Sequence, residues 1–168
     1  MTERALSTAT TRGASYADVR IVRRVDESIT IKSGRVEGVA SGETEGFGVR
    51  VLVDGAWGFA SSHRLEAAEI DRVAAEAVRI ARASATALRH WVQLDSRPVA
   101  HGEYRTPVVE DPFTVPIETK IGDLLAADTA AAAVAGIAFT ESIYAAQRDH
   151  TIFAASDGSY TDQTITHV

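Results

Sequence analysis

The sequence contains no cysteine. Disulfides, thiolate zinc sites, iron–sulfur clusters and a cysteine nucleophile are therefore excluded. Lysine is almost missing, occurring only at Lys32 and Lys120, and the arginines that carry the remaining positive charge are scattered along the chain. The formal net charge is −6. Without a basic run there is no footprint for displacing counterions, so direct nucleic-acid binding is not expected. No stretch is apolar enough to span a membrane, and "MTERALSTATTRGAS" lacks the apolar core of a signal peptide. No membrane partner and a cytoplasmic location are the expectation. All four prolines fall between 98 and 116, which marks that stretch as a connection.

What is present suits one globular domain. The 168 residues are 45% hydrophobic and 24% charged, enough to bury a real core and too apolar for disorder. Residues 3 to 12 read as a short helix ended by Gly13. From Tyr16 the pattern turns to period two. "ADVRIVRRV", "SITIK", "RVEGVA", "GFGVRVLV" and "AWGFAS" predict about five antiparallel strands in a meander over 16–61. Ser33-Gly34 and Asp54-Gly55 supply its tight turns. A helix follows over 65–89, with Ile70, Val73, Ala77, Ile80, Ala83 and Ala87 as its apolar stripe. Residues 94–116 form the connection, with a short strand predicted at 107–109. A second long helix is predicted over 116–135, with Pro116 at its first position, a stripe of Ile117, Ile121, Leu124 and Leu125, and Gly136 after it. "IAFTESIYAAQ", "TIFAAS" and "SYTDQTITHV" read as closing strands, with Asp157-Gly158 as a turn.

The fold class is thus α+β, a mainly antiparallel sheet with two long helices packed on it. The two ends also rhyme: helix, Gly13, strand, strand, Gly34, strand is matched by helix, Gly136, strand, strand, Gly158, strand. An internal α-β-β-β repeat is one reading of that order. The sequence stops within the alternating run "DQTITHV", and we expect the natural protein to continue beyond it.

No active site is visible. Gly46-x-Gly48 could begin a phosphate loop, but the third position of a dinucleotide fingerprint is Val51, followed by a strand rather than a helix. Those glycines and Gly58 read better as strand glycines beneath a close neighbour. His63, His90, His101, His150 and His167 form no ligand motif. Serines 61, 62, 156 and 159 flank turns or a helix start, and the pairs Glu66/Glu69 and Glu43/Glu45 read as solvated faces. Arg50 alternates with Val49 and Val51. It is either a surface charge or the partner of a buried one, and the alternation favours the surface. Trp57 and Phe59 share a strand face and suit a core better than a ligand platform. With Arg50 they remain the candidate substrate contacts.

One stretch identifies a family. Residues 48–60, "GVRVLVDGAWGFA", lie between a strand-rich leader and an amphipathic helix, and "DPFTVPIETKIGDLLAAD" follows later. This arrangement resembles the N-terminal domain of the TldD/PmbA family, also called modulators of DNA gyrase. The resemblance implies a cytoplasmic zinc metallopeptidase acting as a homodimer or with a paralogous partner on extended or unfolded peptides. Family members are implicated in trimming peptide-derived natural products and in degrading a labile antitoxin. The family's His-Glu-x-x-x-His motif is C-terminal to the resembling region and does not occur in these 168 residues. No catalytic or metal residue is carried over. Zinc is expected in a C-terminal catalytic domain, and this chain alone is expected to be inactive. The alternatives are a stand-alone peptide- or protein-binding module, and the metal-free partner of a heterodimeric peptidase.

Overall fold

A computed structural model describes residues 1–96 and 98–168. The elements are α1 (Thr2–Thr11), β1 (Tyr16–Lys32), β2 (Arg35–Val53), β3 (Ala56–Ser62), α2 (Ala67–Ala85), β4 (His101–Arg105), α3 (Ile117–Ala132), β5 (Glu141–Ala155) and β6 (Tyr160–His167). The strands form one sheet in the order β3-β2-β1-β5-β6-β4, and the fold is α+β. Among the described residues, no helix is long and apolar enough to cross a membrane.

The meander has three strands where five were expected. Nothing between Arg24 and Ser28 supplies a turn, and Gly38, Gly42 and Gly46 lack the positive φ of a reversal, so β1 and β2 run on unbroken. The tight turns fall where the glycine pairs stand. Ser33 and Gly34 have φ of 45° and 77°, and Asp54 and Gly55 have 48° and 73°. Positive φ at both central residues is the twist-compatible hairpin turn. The β5–β6 connection differs: Ala155 N–H donates to the Ser159 carbonyl and Gly158 N–H to that of Ala155. This makes a three-residue loop, with Gly158 at φ 94°.

Strand directions follow from individual contacts. Ala17 meets Ser156, Arg20 meets Phe153, Arg24 meets Asp149 and Ser33 meets Thr140. Rising numbers in β1 against falling numbers in β5, with a constant sum, describe an antiparallel register without a bulge. β4 runs parallel to β6, since Tyr160 bonds to Ala100 and Thr106 to Thr164. The short strand is therefore at 101–105 and not at 107–109, where Pro107 removes a backbone donor. The expected α-β-β-β order is not found: the two strands read before each glycine turn are one, β1 in the first half and β5 in the second. What recurs is α-β-β, as α1-β1-β2 and α3-β5-β6, with β1 and β5 adjacent in the sheet.

The residues group into two compact units. The first comprises Met1–Arg23, Glu45–Tyr104 and His150–Gln163. Its core joins Ala5 and Ala9 of α1, Ala17 and Val19 of β1, and Phe47, Val49, Val51 and Val53 of β2. Ile70, Val73, Ala74, Ala77, Val78 and Ala81 of α2 complete it. The buried stripe of α2 is rotated from the expected one: Ile80 is half-buried, while Ala83 and Ala87 are exposed. Close approach decides this. A Cβ on Gly58 of β3 would lie 2.1 Å from the Ala77 carbonyl oxygen, so only the small-residue face of α2 fits there. The helix also stops at Ala85, leaving Leu65 and Leu88 outside it.

The second unit comprises Arg24–Thr44, Arg105–Asp149 and Thr164–Val168. Its α3 does not bury the expected stripe. Ile117, Ile121, Leu124 and Leu125 are half-buried, whereas Lys120 and Asp128 are buried. Lys120 pairs with Glu27, and Asp128 Oδ2 accepts the Gly34 N–H at 2.6 Å. These polar anchors fix the rotation of the helix. Pro116 stands just before its first residue rather than within it.

Candidate functional site

Period-two alternation builds the site in the first unit. Ala17 and Val19, with Phe47, Val49, Val51 and Val53, face the core that contains α1 and α2. Tyr16, Asp18, Arg20, Gly48, Arg50 and Leu52 therefore point to the opposite face. On β3, Phe59 lies opposite Arg50 and Trp57 opposite Leu52. The three residues expected to touch substrate thus share one face.

Its centre is an ion pair stacked on an aromatic ring. Arg50 Nε and Nη2 donate to Asp18 Oδ2 at 2.9 and 2.6 Å. The guanidinium carbon is 4.8 Å from the Trp57 ring centroid. Trp57 meets Tyr16 edge to face, with centroids 5.9 Å apart. The Asp18 side chain is 4% exposed and that of Arg50 45%. Arg50 is therefore not the independent surface charge that alternation favoured; it neutralises a buried carboxylate while one side of it meets solvent. Burial, then the charge of Asp18, raises the Tyr16 hydroxyl above its ordinary pKa, and Arg50 opposes the shift.

The aromatic candidates divide. Trp57 is half-buried and packs in a small cluster with Tyr16, Leu52, Val92, Phe153 and Ala155. Phe59 is 57% exposed, contrary to a core reading, and its ring lies over Gly48, where a Cβ would meet it at 2.7 Å. Gly34, Asp54, Gly55, Asp157 and Gly158 shape the turns of the sheet, and the charge of Asp157 also acts on the Tyr16 hydroxyl.

Three members escaped the sequence reading. Asp18 shares parity with Arg20, which hinted at a common face, but nothing local revealed that Asp18 is buried. Arg20 lies 5.5 Å over Phe153. No short-range pattern could pair residues so far apart in the chain. Among the described residues Arg20 has no carboxylate partner.

The residues present do not suit zinc. Such a site takes three or four nitrogen, sulfur or oxygen ligands. His150 Nε2 lies 2.9 Å from Asp162 Oδ1, a hydrogen-bonded pair two ligands short of tetrahedral. Among the described residues no group of three or more His, Asp or Glu is placed to hold a metal ion. One edge of the sheet is β4, whose five residues are all exposed.

Comparison with known proteins agrees with this architecture. Residues 17–81 match the model of PmbA/TldA metallopeptidase domain 1. A metalloprotease of Methanothermobacter thermautotrophicus is 30% identical over 153 residues, covering 91% of this chain and 32% of that protein. A metalloprotease of Methanocaldococcus jannaschii is 38% identical over 69 residues, 41% of this chain and 15% of that protein. A Bacteroides thetaiotaomicron structure described as a modulator of DNA gyrase superposes with a TM-score of 0.74 at 18% identity, covering 98% of this chain and 38% of that one. TldE of Thermococcus kodakarensis gives 0.73 at 12% identity, covering 98% and 37%. At those identities the superpositions show the fold. The chain spans only 32% of the Methanothermobacter protein. Through residues 17–81, which carry the PmbA/TldA metallopeptidase domain 1, the chain belongs to the TldD/PmbA family.

Proposed function

We propose that this chain is the N-terminal, substrate-handling part of a TldD/PmbA-like zinc metallopeptidase that cleaves extended peptides in the cytoplasm. The observation that carries the reading is a sheet face left without a helix and bearing Arg50, Trp57 and Phe59, in a chain of a metallopeptidase family. An extended peptide is held by backbone hydrogen bonds to a strand edge and by side-chain contacts with an adjoining surface. The edge strand β3, which itself carries Trp57 and Phe59, is suited to the first and the Arg50–Trp57–Phe59 face to the second. Metal and hydrolysis are assigned to the part of the longer relatives that this chain does not span, and a homodimeric or paralogous partner completes the enzyme.

The test is binding of fluorescently labelled unfolded peptides to the 168-residue chain, with an unrelated domain of similar negative charge as control. Tighter binding by this chain, lost in a Trp57→Ala/Phe59→Ala double variant, supports the proposal. Binding equal to the control removes it. Stoichiometric zinc in the purified chain would overturn the assignment of the metal elsewhere.

A further inference from the structure

The open face of the first unit carries more than apolar area. Arg20 is exposed, rests on the Phe153 ring and among the described residues has no carboxylate partner, in a chain whose net charge is −6. Arg50 rests on Trp57 and is already neutralised by Asp18. The two arginines therefore differ. Arg50 is committed to an internal partner, while Arg20 presents an uncompensated guanidinium.

A guanidinium lying on an aromatic face keeps its donors at the rim. It is also partly desolvated and ordered, which favours two parallel hydrogen bonds to a planar carboxylate. The sheet order fixes what surrounds it. Phe59 and Trp57 stand on β3, Arg50 on β2, Arg20 on β1 and Phe153 on β5. Neighbouring strands lie about 4.8 Å apart, so β3 and β1 are separated by roughly 10 Å, about three residues of extended peptide.

We propose that this face selects extended peptides bearing a carboxylate side chain, with Arg20 on Phe153 binding the carboxylate and Trp57 and Phe59 forming the apolar floor. The ligand class is an acidic peptide with an apolar residue about three positions from the acid. The inference rests on the peptide-handling reading above and adds to it a preference that reading does not contain. A polyphosphate chain fits less well, because a row of phosphates needs several available cations and on this face Arg50 is already committed to Asp18.

The test uses the 168-residue chain and two labelled unstructured peptides, one with a glutamate three residues from a phenylalanine and one with glutamine in its place. At low ionic strength, fluorescence anisotropy is expected to give about fivefold tighter binding of the glutamate peptide, shrinking as salt is added. Arg20→Gln abolishes the difference, and Arg20→Lys retains part of it. Circular dichroism spectra matching wild type establish that these exposed-site variants are folded. Equal affinity for the two peptides, or a preference that survives Arg20→Gln, refutes the acidic selectivity while leaving peptide handling intact. Binding of neither peptide removes both. A single-stranded oligonucleotide that binds more tightly than the glutamate peptide also overturns the proposal.

Discussion

Gly58 and Gly48 stand on facing strands, yet their neighbourhoods differ in what can yield. A Cβ at Gly58 would sit 2.1 Å from the Ala77 carbonyl oxygen and 2.5 Å from the Ala81 nitrogen, both backbone atoms of α2. Gly58→Ala must displace the helix, and we expect a loss of about 2–3 kcal/mol in urea denaturation. At Gly48 the obstacle is the end of the exposed Phe59 ring, which can turn away. Gly48→Ala should cost less than about 1 kcal/mol. Asp18 tests the reverse case, a partner removed. Arg50→Gln leaves the buried carboxylate with weaker compensation, and a loss of about 1–3 kcal/mol is expected in the same assay. Glu69 adds a pH dependence. Hydrogen bonds from Arg72 and then Ser62 lower its pKa from 4.5 to about 2. A depressed carboxylate contributes stability above its unfolded value and loses it as the pH falls through the folded one. The Tm gap between wild type and Glu69→Gln should be full at neutral pH and close between pH 4.5 and about 2.

At the scale of elements, small residues and polar anchors position the helices. The six-residue face of α2 in the core includes Ala74, Ala77 and Ala81, so close approach outweighs side-chain size in choosing its rotation. Val73 is its fully buried large residue, and Val73→Ala should cost about 2 kcal/mol, from lost methyl groups and the cavity they leave. Arg79, exposed and paired only along its own helix with Glu76, can become alanine without a measurable change in Tm. In α3 charged side chains take the place of small ones. Asp128 accepts the Gly34 amide at the β1–β2 turn. Asp128→Ala is expected to speed hydrogen exchange at Gly34 at least tenfold, read by NMR, because that turn amide loses a charge-assisted bond. The strand pattern was legible from period two and the turns from their glycines. The strand number was not, because an uninterrupted polar stretch such as Asp26-Glu27-Ser28 resembles a loop until its neighbours pair with it.

At the scale of the whole molecule, apolar burial is uneven. Both hydrophobic clusters lie in the first unit. Buried apolar side chains of the second include Ile29, Ile31 and Ala146, beside buried Lys120, Asp128 and Thr140. Amides of Ile29 and Ile31 should therefore exchange faster than those of Val49 and Val51, despite equal burial of the side chains. The candidate site divides in the same way. Arg50, Trp57 and Phe59 were legible because they fall within one strand–turn–strand unit whose Asp54-Gly55 turn fixes their register. Asp18, Arg20 and Phe153 were not, because their partners come from strands distant in the chain. The sequence by itself determined the strand faces, the glycine turns, the amphipathic α2 and the family, since all of these rest on local spacing and residue type. Tertiary structure alone decided that Arg50 serves a buried Asp18, that Arg20 lies over Phe153, and that α3 docks through Lys120 and Asp128. Each of those depends on which strand becomes whose neighbour, and burial and charge pairing exist only after that pairing is made.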